Sequence, residues 1–204
     1  MNDENETVKI KIVLIGGPSV GKTSLIRYFV EGSTPFDTKP TLQLAYQNKD
    51  IEINNTPVRL NICDTAGQEK FQSVAPNFYR TSDAAMIVFD ITQPSSFEKA
   101  KEWLDELSAA MPDTFIILIV GNKNDLTDRR VSYEEAMEYA SANGVSYMES
   151  SAHTGDGVEN CFYYLTKEVL SKKASTPEFT TEVVDISQPT IQQPVNDEKK
   201  KGCC

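Results

Sequence analysis

The sequence predicts an α/β fold: a six-stranded, mostly parallel sheet with helices on both faces, followed by a flexible C-terminal tail. Three observations predict it. Strand patterns alternate with amphipathic helix patterns from residue 8 to about 170. Several strand patterns are continuous apolar runs, as expected of strands covered on both faces. The composition changes after about Lys173, where Thr, Gln, Pro and acidic residues replace any sustained periodicity.

The elements follow in order. Residues 1–7 are polar and acidic and read as a flexible N-terminus. Val8 to Ile15 reads as a buried strand, with Lys9 and Lys11 alternating near its start. A Gly-rich loop leads into a helix from about Lys22 to Glu31, and residues 32–40 read as loop. Thr41 to Ile53 and Val58 to Cys63 read as two strands joined at Asn54–Pro57 in a hairpin. Residues 64–81 read as loop plus a weak helix, and Ala84 to Asp90 as a buried strand. Ser95 and Glu98 have capping-box spacing ahead of a helix whose residues Phe97, Ala100, Leu104, Leu107 and Met111 share one face. Phe115 to Val120 is a strand, Ser132 and Glu135 cap the next helix, and Ser146 to Glu149 is a short strand. A fifth helix carries Val158, Phe162, Leu165 and Val169 on one face. Residues 8–173 form the expected domain and 174–204 the tail.

Charge and composition exclude several classes. Lys and Arg number 20 against 30 Asp and Glu, a net charge of −10. Residues 171–204 are neutral, so that charge sits on residues 1–170, and binding dominated by nucleic-acid phosphates is excluded. No apolar run approaches the roughly 18 residues a membrane helix needs. The start MNDENETVKI does not read as a secretory signal, and Asn2 stands where myristoylation requires glycine. Of four cysteines, Cys63 and Cys161 fall on predicted elements and read as free, buried thiols. Cys203 and Cys204 follow Lys199–Gly202. They read as a lipid-attachment site that is not a CaaX box, because Lys201 stands fourth from the end.

Four motifs carry chemistry. GGPSVGKT (16–23) fits G-x-x-x-x-G-K-[ST] between a strand and a helix. Its backbone at Gly16, Ser19, Val20 and Gly21 can form an anion nest at a helix N-terminus. Lys22 supplies a charge to β- and γ-phosphates, and the Thr23 hydroxyl is a hard oxygen suited to Mg²⁺. Asp64-Thr-Ala-Gly67-Gln68-Glu follows a strand. Asp64 can hold Mg²⁺ through water, Gly67 can offer its N–H to a γ-phosphate, and Gln68 can orient a water. Asn122-Lys123-Asn124-Asp125 follows the run ending at Val120. An ionised Asp125 can accept from the N1–H and 2-amino group of guanine, a donor pair adenine lacks. Ser150-Ser151-Ala152 also lies at a strand end.

With these motifs in this order, residues 8–170 resemble the Ras-like small GTPases, and within them the Rab family. The Rab resemblance rests on GQEKFQSV (67–74), FYR (78–80), IVFDIT (87–92) and the terminal Cys-Cys. SFEKAKEWLDEL (96–107) and GNKNDL (121–126) look most like the early-endosomal Rabs. The resemblance implies a P-loop small G domain that binds GTP and GDP with Mg²⁺. It implies phosphate contacts from the loop, Thr41 and Gly67, and metal contacts from Thr23, Thr41 and Asp64. Gln68 would be the water-positioning catalytic residue. Asn122, Lys123 and Asp125 would read guanine with help from Ser151 and Ala152, and His153 would lie beside the base. It also implies geranylgeranyl groups on Cys203 and Cys204. The expected partners are an activating protein, an exchange factor, a prenyl-binding carrier and effectors. The expected place is the cytoplasmic face of intracellular membranes, endosomal ones among them, for a monomer that cycles with the cytosol.

The chain departs from the Rab pattern at four positions. Pro18 replaces the usual Gly or Ser and removes an N–H near the γ-phosphate, which is expected to alter an activator's fit. Gln43 replaces a glycine. Cys63 replaces a tryptophan that, with partners matching Tyr46 and Phe78, forms a surface read by effectors. His153 replaces a lysine. Two alternatives stand beside the switch: a GTP-binding scaffold deficient in hydrolysis, and a P-loop kinase or ATPase, against which NKND speaks.

Overall fold

A computed structural model describes residues 7–33, 45–64 and 79–175. Among them are six strands: β1 (Val8–Ile15), β2 (Ala45–Ile53), β3 (Thr56–Asp64), β4 (Ala84–Asp90), β5 (Ile116–Asn122) and β6 (Ser146–Ser150). Four helices accompany them: α1 (Lys22–Glu31), α2 (Pro94–Ala110), α3 (Tyr133–Ala142) and α4 (Val158–Ser175). The weak helix expected within residues 64–81 and the start of the strand expected at Thr41 lie largely outside the described residues.

The strand order is β2-β3-β1-β4-β5-β6. Only β2 and β3 are antiparallel, joined by the expected hairpin, with Asn54 and Asn55 at positive φ in its turn. Every other neighbour pair is parallel. The chain leaves β1 toward β3 but leaves β4 toward β5, so the strand order reverses between β1 and β4. Ligands of open parallel sheets bind beyond the carboxyl ends of strands at such a reversal.

Alternation along the strands divides the core into two layers. Ile10, Ile12, Leu14, Met86 and Val88 face α1 and α4, meeting Leu25, Ile26, Phe29, Phe162 and Leu165. Val13, Ile15, Ala85, Ile87 and Phe89 face α2 and α3, meeting Phe97, Ala100, Leu104, Leu107 and Ala136. Phe29 and Phe162 stack at 4.1 Å between centroids, which clamps α1 to α4. Cys63 and Cys161 are free and buried, as expected.

Some boundaries differ from the sequence reading. Ser132 caps α3, its hydroxyl accepting from the Glu135 N–H at 3.0 Å. Ser95 does not cap α2. That helix begins two residues earlier than a Ser95 cap would place it, with Pro94 in its first turn and Gln93 as N-cap. The neighbouring Ser96 hydroxyl is held by the β4–α2 turn instead, donating to the carbonyl of Gln93 at 2.7 Å and accepting from Asp90 N–H at 3.0 Å. Strand β5 runs to Asn122, two residues past its predicted end. α4 continues to Ser175, so Ala174 and Ser175 are helical. No described helix is long and apolar enough to cross a membrane.

Candidate functional site

The carboxyl ends of β1, β3, β4, β5 and β6 share one edge of the sheet. The loop after β1 bends at once over β4. Gly16 has φ +149°, and a Cβ there would lie 2.2 Å from the Val88 carbonyl, so no other residue fits this close approach. Pro18 and Ser19 are exposed at the loop's tip, and Ser19 takes φ +59°. Gly21, at φ +101°, is the N-cap of α1.

Lys22 opens α1 and is buried, 5% exposed. Its ammonium donates to the carbonyls of Gly16 at 2.8 Å and Gly17 at 2.7 Å. Burial pushes its pKa down to about 8, against the opposing pull of the Asp64 carboxylate. A cation held in a glycine-rich turn at a helix N-terminus is a receptor for an anion. Next to it, the Thr23 hydroxyl donates to Asp64 Oδ2 at 2.7 Å. The register explains the meeting, since Asp64 ends β3 opposite Leu14 of β1. A hydroxyl and a carboxylate are hard oxygen donors, a set that fits Mg²⁺.

Asn122, 1% exposed, joins this half to the other. Its amide donates to the Val20 carbonyl at 2.8 Å. Its Oδ1 accepts from the Ala152 N–H at 3.1 Å and the Ser150 hydroxyl at 3.3 Å. One side chain thus ties the phosphate loop to the loop after β6. A Cβ at Gly21 would stand 2.2 Å from Asn122 Nδ2, so this glycine makes room for the tie.

Lys123 adopts φ +69° and pairs with Asp90 Oδ2 at 2.6 Å. Asp125 is exposed, so the selectivity expected of an unpaired buried carboxylate arises only when a base covers it. Ser151 and Ala152 are buried. The Ser151 hydroxyl accepts from the N–H groups of His153 at 3.1 Å and Thr154 at 3.0 Å, which shapes the loop. His153 itself is exposed. Thr41, Gly67, Gln68, Cys203 and Cys204 lie outside the described residues, as do Gln43 and Phe78. Gly16, Ser19, Val20, Gly21, Lys22, Thr23, Asp64, Asn122, Lys123, Asp125, Ser151, Ala152 and His153 all lie on or just beyond that sheet edge.

Sequence reasoning missed Asp90, Thr92, Tyr28 and Gly155. Asp90 reads as the polar end of an apolar strand, and nothing local announces its partner 33 residues later. Tyr28 lies against the loop after β6, where a Cβ on Gly155 would come within 2.0 Å of its ring. Cys63 and Tyr46 are register partners across β3 and β2, and Tyr46 is 47% exposed. Burial pushes the Cys63 thiol up.

Residues 11–171 match the Ras family. The chain is 39% identical to Ras-related protein RABF2b of Arabidopsis thaliana over 166 residues, 81% of this chain and 83% of that protein. It is 37% identical to Ras-related protein Rab-5A of Dictyostelium discoideum over 178 residues, 87% and 89% of the two chains. It is 40% identical to Ras-related protein RHN1 of Nicotiana plumbaginifolia over 169 residues, 82% and 84%. A phosphate-loop edge of this geometry, matched over that length, leads to one conclusion: the chain belongs to the Ras family, in its Rab branch, and is a GTPase that converts GTP to GDP.

Proposed function

We propose that this GTPase switch works on endocytic membranes, recruiting effectors in its GTP state. The observation that carries the nucleotide part is the Lys22 ammonium, buried beside the Thr23–Asp64 pair and linked through Asn122 to the NKND loop. The membrane part rests on likeness to proteins named Rab-5A and Rab5A, and on Cys203 and Cys204 as acceptors of two geranylgeranyl groups. Two lipid chains give stable attachment where one gives only marginal binding. Removal then calls for a carrier that covers the lipids.

In this reading Lys22 and the backbone of Gly16 and Ser19 to Gly21 grip the β- and γ-phosphates, and Gly67 and Thr41 close over the γ-phosphate. Thr23, Thr41 and Asp64 hold Mg²⁺, which when bound neutralises charge on the phosphates. Gln68 orients the attacking water. Asp125 accepts from guanine, Asn122 braces the loops, Lys123 lies along the base, and Ser151, Ala152 and His153 line its rim. Hydrolysis by positioning and electrostatics alone is slow, on the order of 10⁻⁴–10⁻³ s⁻¹, and an activating protein supplies the missing charge.

Single-turnover hydrolysis of pre-bound GTP, with Gln68→Leu alongside, tests the reading. Slow turnover in the wild-type chain that is lost in the variant supports it. Tight GTP binding with equal, negligible turnover in both overturns the hydrolytic switch and leaves a GTP-bound scaffold.

A further inference from the structure

We propose that Asp90 is a positioning residue for the base subsite, acting by anchoring the Lys123 side chain. This rests on the reading of NKND as the guanine-recognition loop.

The geometry is specific. Asp90 ends β4 beside Asn122 of β5, and its side chain is 6% exposed. Each carboxylate oxygen has a separate task. Oδ1 accepts from the N–H of Thr92 at 2.9 Å and from its hydroxyl at 2.8 Å. Oδ2 accepts from Lys123 Nζ at 2.6 Å. The Asp90 main chain is fixed as well, its N–H donating to the Ser96 hydroxyl at 3.0 Å. Burial works to raise the pKa of this carboxyl, but Lys123 and Thr92 outweigh burial and hold it below the usual range, so it stays ionised.

Lys123 is therefore held at both ends. Its backbone sits in the left-handed region, which lysine rarely adopts, and its carbonyl accepts from Leu126 N–H at 3.0 Å to close the turn. Its ammonium is pinned to Asp90. The hydrocarbon stem between these points, in a side chain 32% exposed, becomes a fixed apolar ledge at the carboxyl end of β5. It neighbours Asn122, which braces Ala152. A flat heteroaromatic ring is the ligand such a ledge suits. A free lysine would surrender rotamer freedom each time a base bound, and the anchor removes that cost beforehand. Asp90 need not touch the nucleotide to do this.

The substitution Asp90→Asn is nearly isosteric, keeps an oxygen for Thr92 and removes only the charge pairing. The test uses the full-length chain and N-methylanthraniloyl-GDP, and reads its dissociation rate. Four proteins are compared: wild type, Asp90→Asn, Lys123→Met (stem kept, ammonium removed) and the double variant. Asp90→Asn should release the nucleotide about tenfold faster, the order expected for losing a partly buried ion pair. Lys123→Met should also release it faster, and the double variant should add less than twofold to Lys123→Met.

Release from Asp90→Asn within twofold of wild type overturns the proposal. So does an equal acceleration by Asp90→Asn in the wild-type and Lys123→Met backgrounds, which would mean that it acts through the fold. If Asp90→Asn does not fold, Thr92→Val with Lys123→Met decides. Thr92→Val should release faster only where Lys123 is present, and independence of Lys123 overturns the anchor. Failure of the wild-type chain to hold labelled GDP or GTP while still holding ATP would instead remove the guanine reading, and the proposal with it.

Discussion

Removing the Asn122 side chain should cost more than its size suggests. Asn122→Ala deletes three hydrogen bonds: a 2.8 Å donation to the Val20 carbonyl, a 3.1 Å acceptance from Ala152 N–H and a 3.3 Å acceptance from the Ser150 hydroxyl. The hydroxyl can rotate to another acceptor, so that bond counts for little. The other two leave a main-chain carbonyl and N–H at a site where the side chain is 1% exposed. Each orphaned group costs about 1–3 kcal/mol, so the sum is about 3 kcal/mol after partial relaxation. For a chain of this size that lowers Tm by roughly 6–12 °C. Because the bonds join two loops, GDP release should also accelerate strongly. Urea unfolding monitored by circular dichroism gives the first quantity and release of labelled GDP the second. Gly21→Ala should reproduce much of the effect from the opposite side, since its Cβ would strike Asn122 Nδ2 at 2.2 Å. A loss below about 1 kcal/mol for Asn122→Ala, with unchanged GDP release, would refute the idea that this side chain holds the two loops together.

Two further predictions concern the scaffold. Phe162→Ala removes a fully buried ring stacked on Phe29 and should cost about 3–5 kcal/mol, visible as a Tm drop of about 10 °C. Calorimetry checks it, and GTP protection should persist because the ring lies away from the loops. The Arg129–Glu149 pair, bonded at 2.7 and 2.8 Å, governs acid stability. Burial raises the Glu149 pKa, but Arg129 and Tyr147 bring it below the ordinary value. The stabilisation is therefore present above the unfolded glutamate pKa of about 4.3 and is lost as pH falls through the lower folded pKa. Arg129→Gln should cost about 1–2 kcal/mol at pH 7 and flatten the acid limb of stability between about pH 5 and 3. Parallel acid limbs in both proteins would contradict this.

The strand pattern and the phosphate loop were legible because their physics is local. Apolar residues every second position sort Ile10, Ile12 and Leu14 from Val13 and Ile15, which the two core layers reproduce. The Ser132 cap was legible for the same reason. The Ser95 cap was not, because Pro94 suits the first turn of α2 and the Ser96 hydroxyl is engaged by the turn from β4. The end of β5 was misplaced because Gly121 weakens the apolar signal. Its register with Phe89 continues, and the missing side chain leaves room for the Tyr147 hydroxyl, which would lie 2.4 Å from a Cβ. At the site, motif spacing located the groups but not their division of labour. That Asn122 braces loops, that Lys123 pairs with Asp90, and that Tyr28 meets Gly155 all depend on the strand order. No window of sequence contains it.

The caged Lys22 ammonium has a consequence for how a ligand arrives. Its charge is buried and shared with two carbonyls, while the surrounding chain carries −10 overall. At a distance, a polyphosphate meets repulsion, and it feels the lysine only within the last few ångströms. Added salt screens the repulsion over about 8–10 Å but leaves the close contact largely intact. Capture should therefore quicken as ionic strength rises, the reverse of electrostatic steering. The tenacity of the complex then resides in slow escape rather than in rapid encounter.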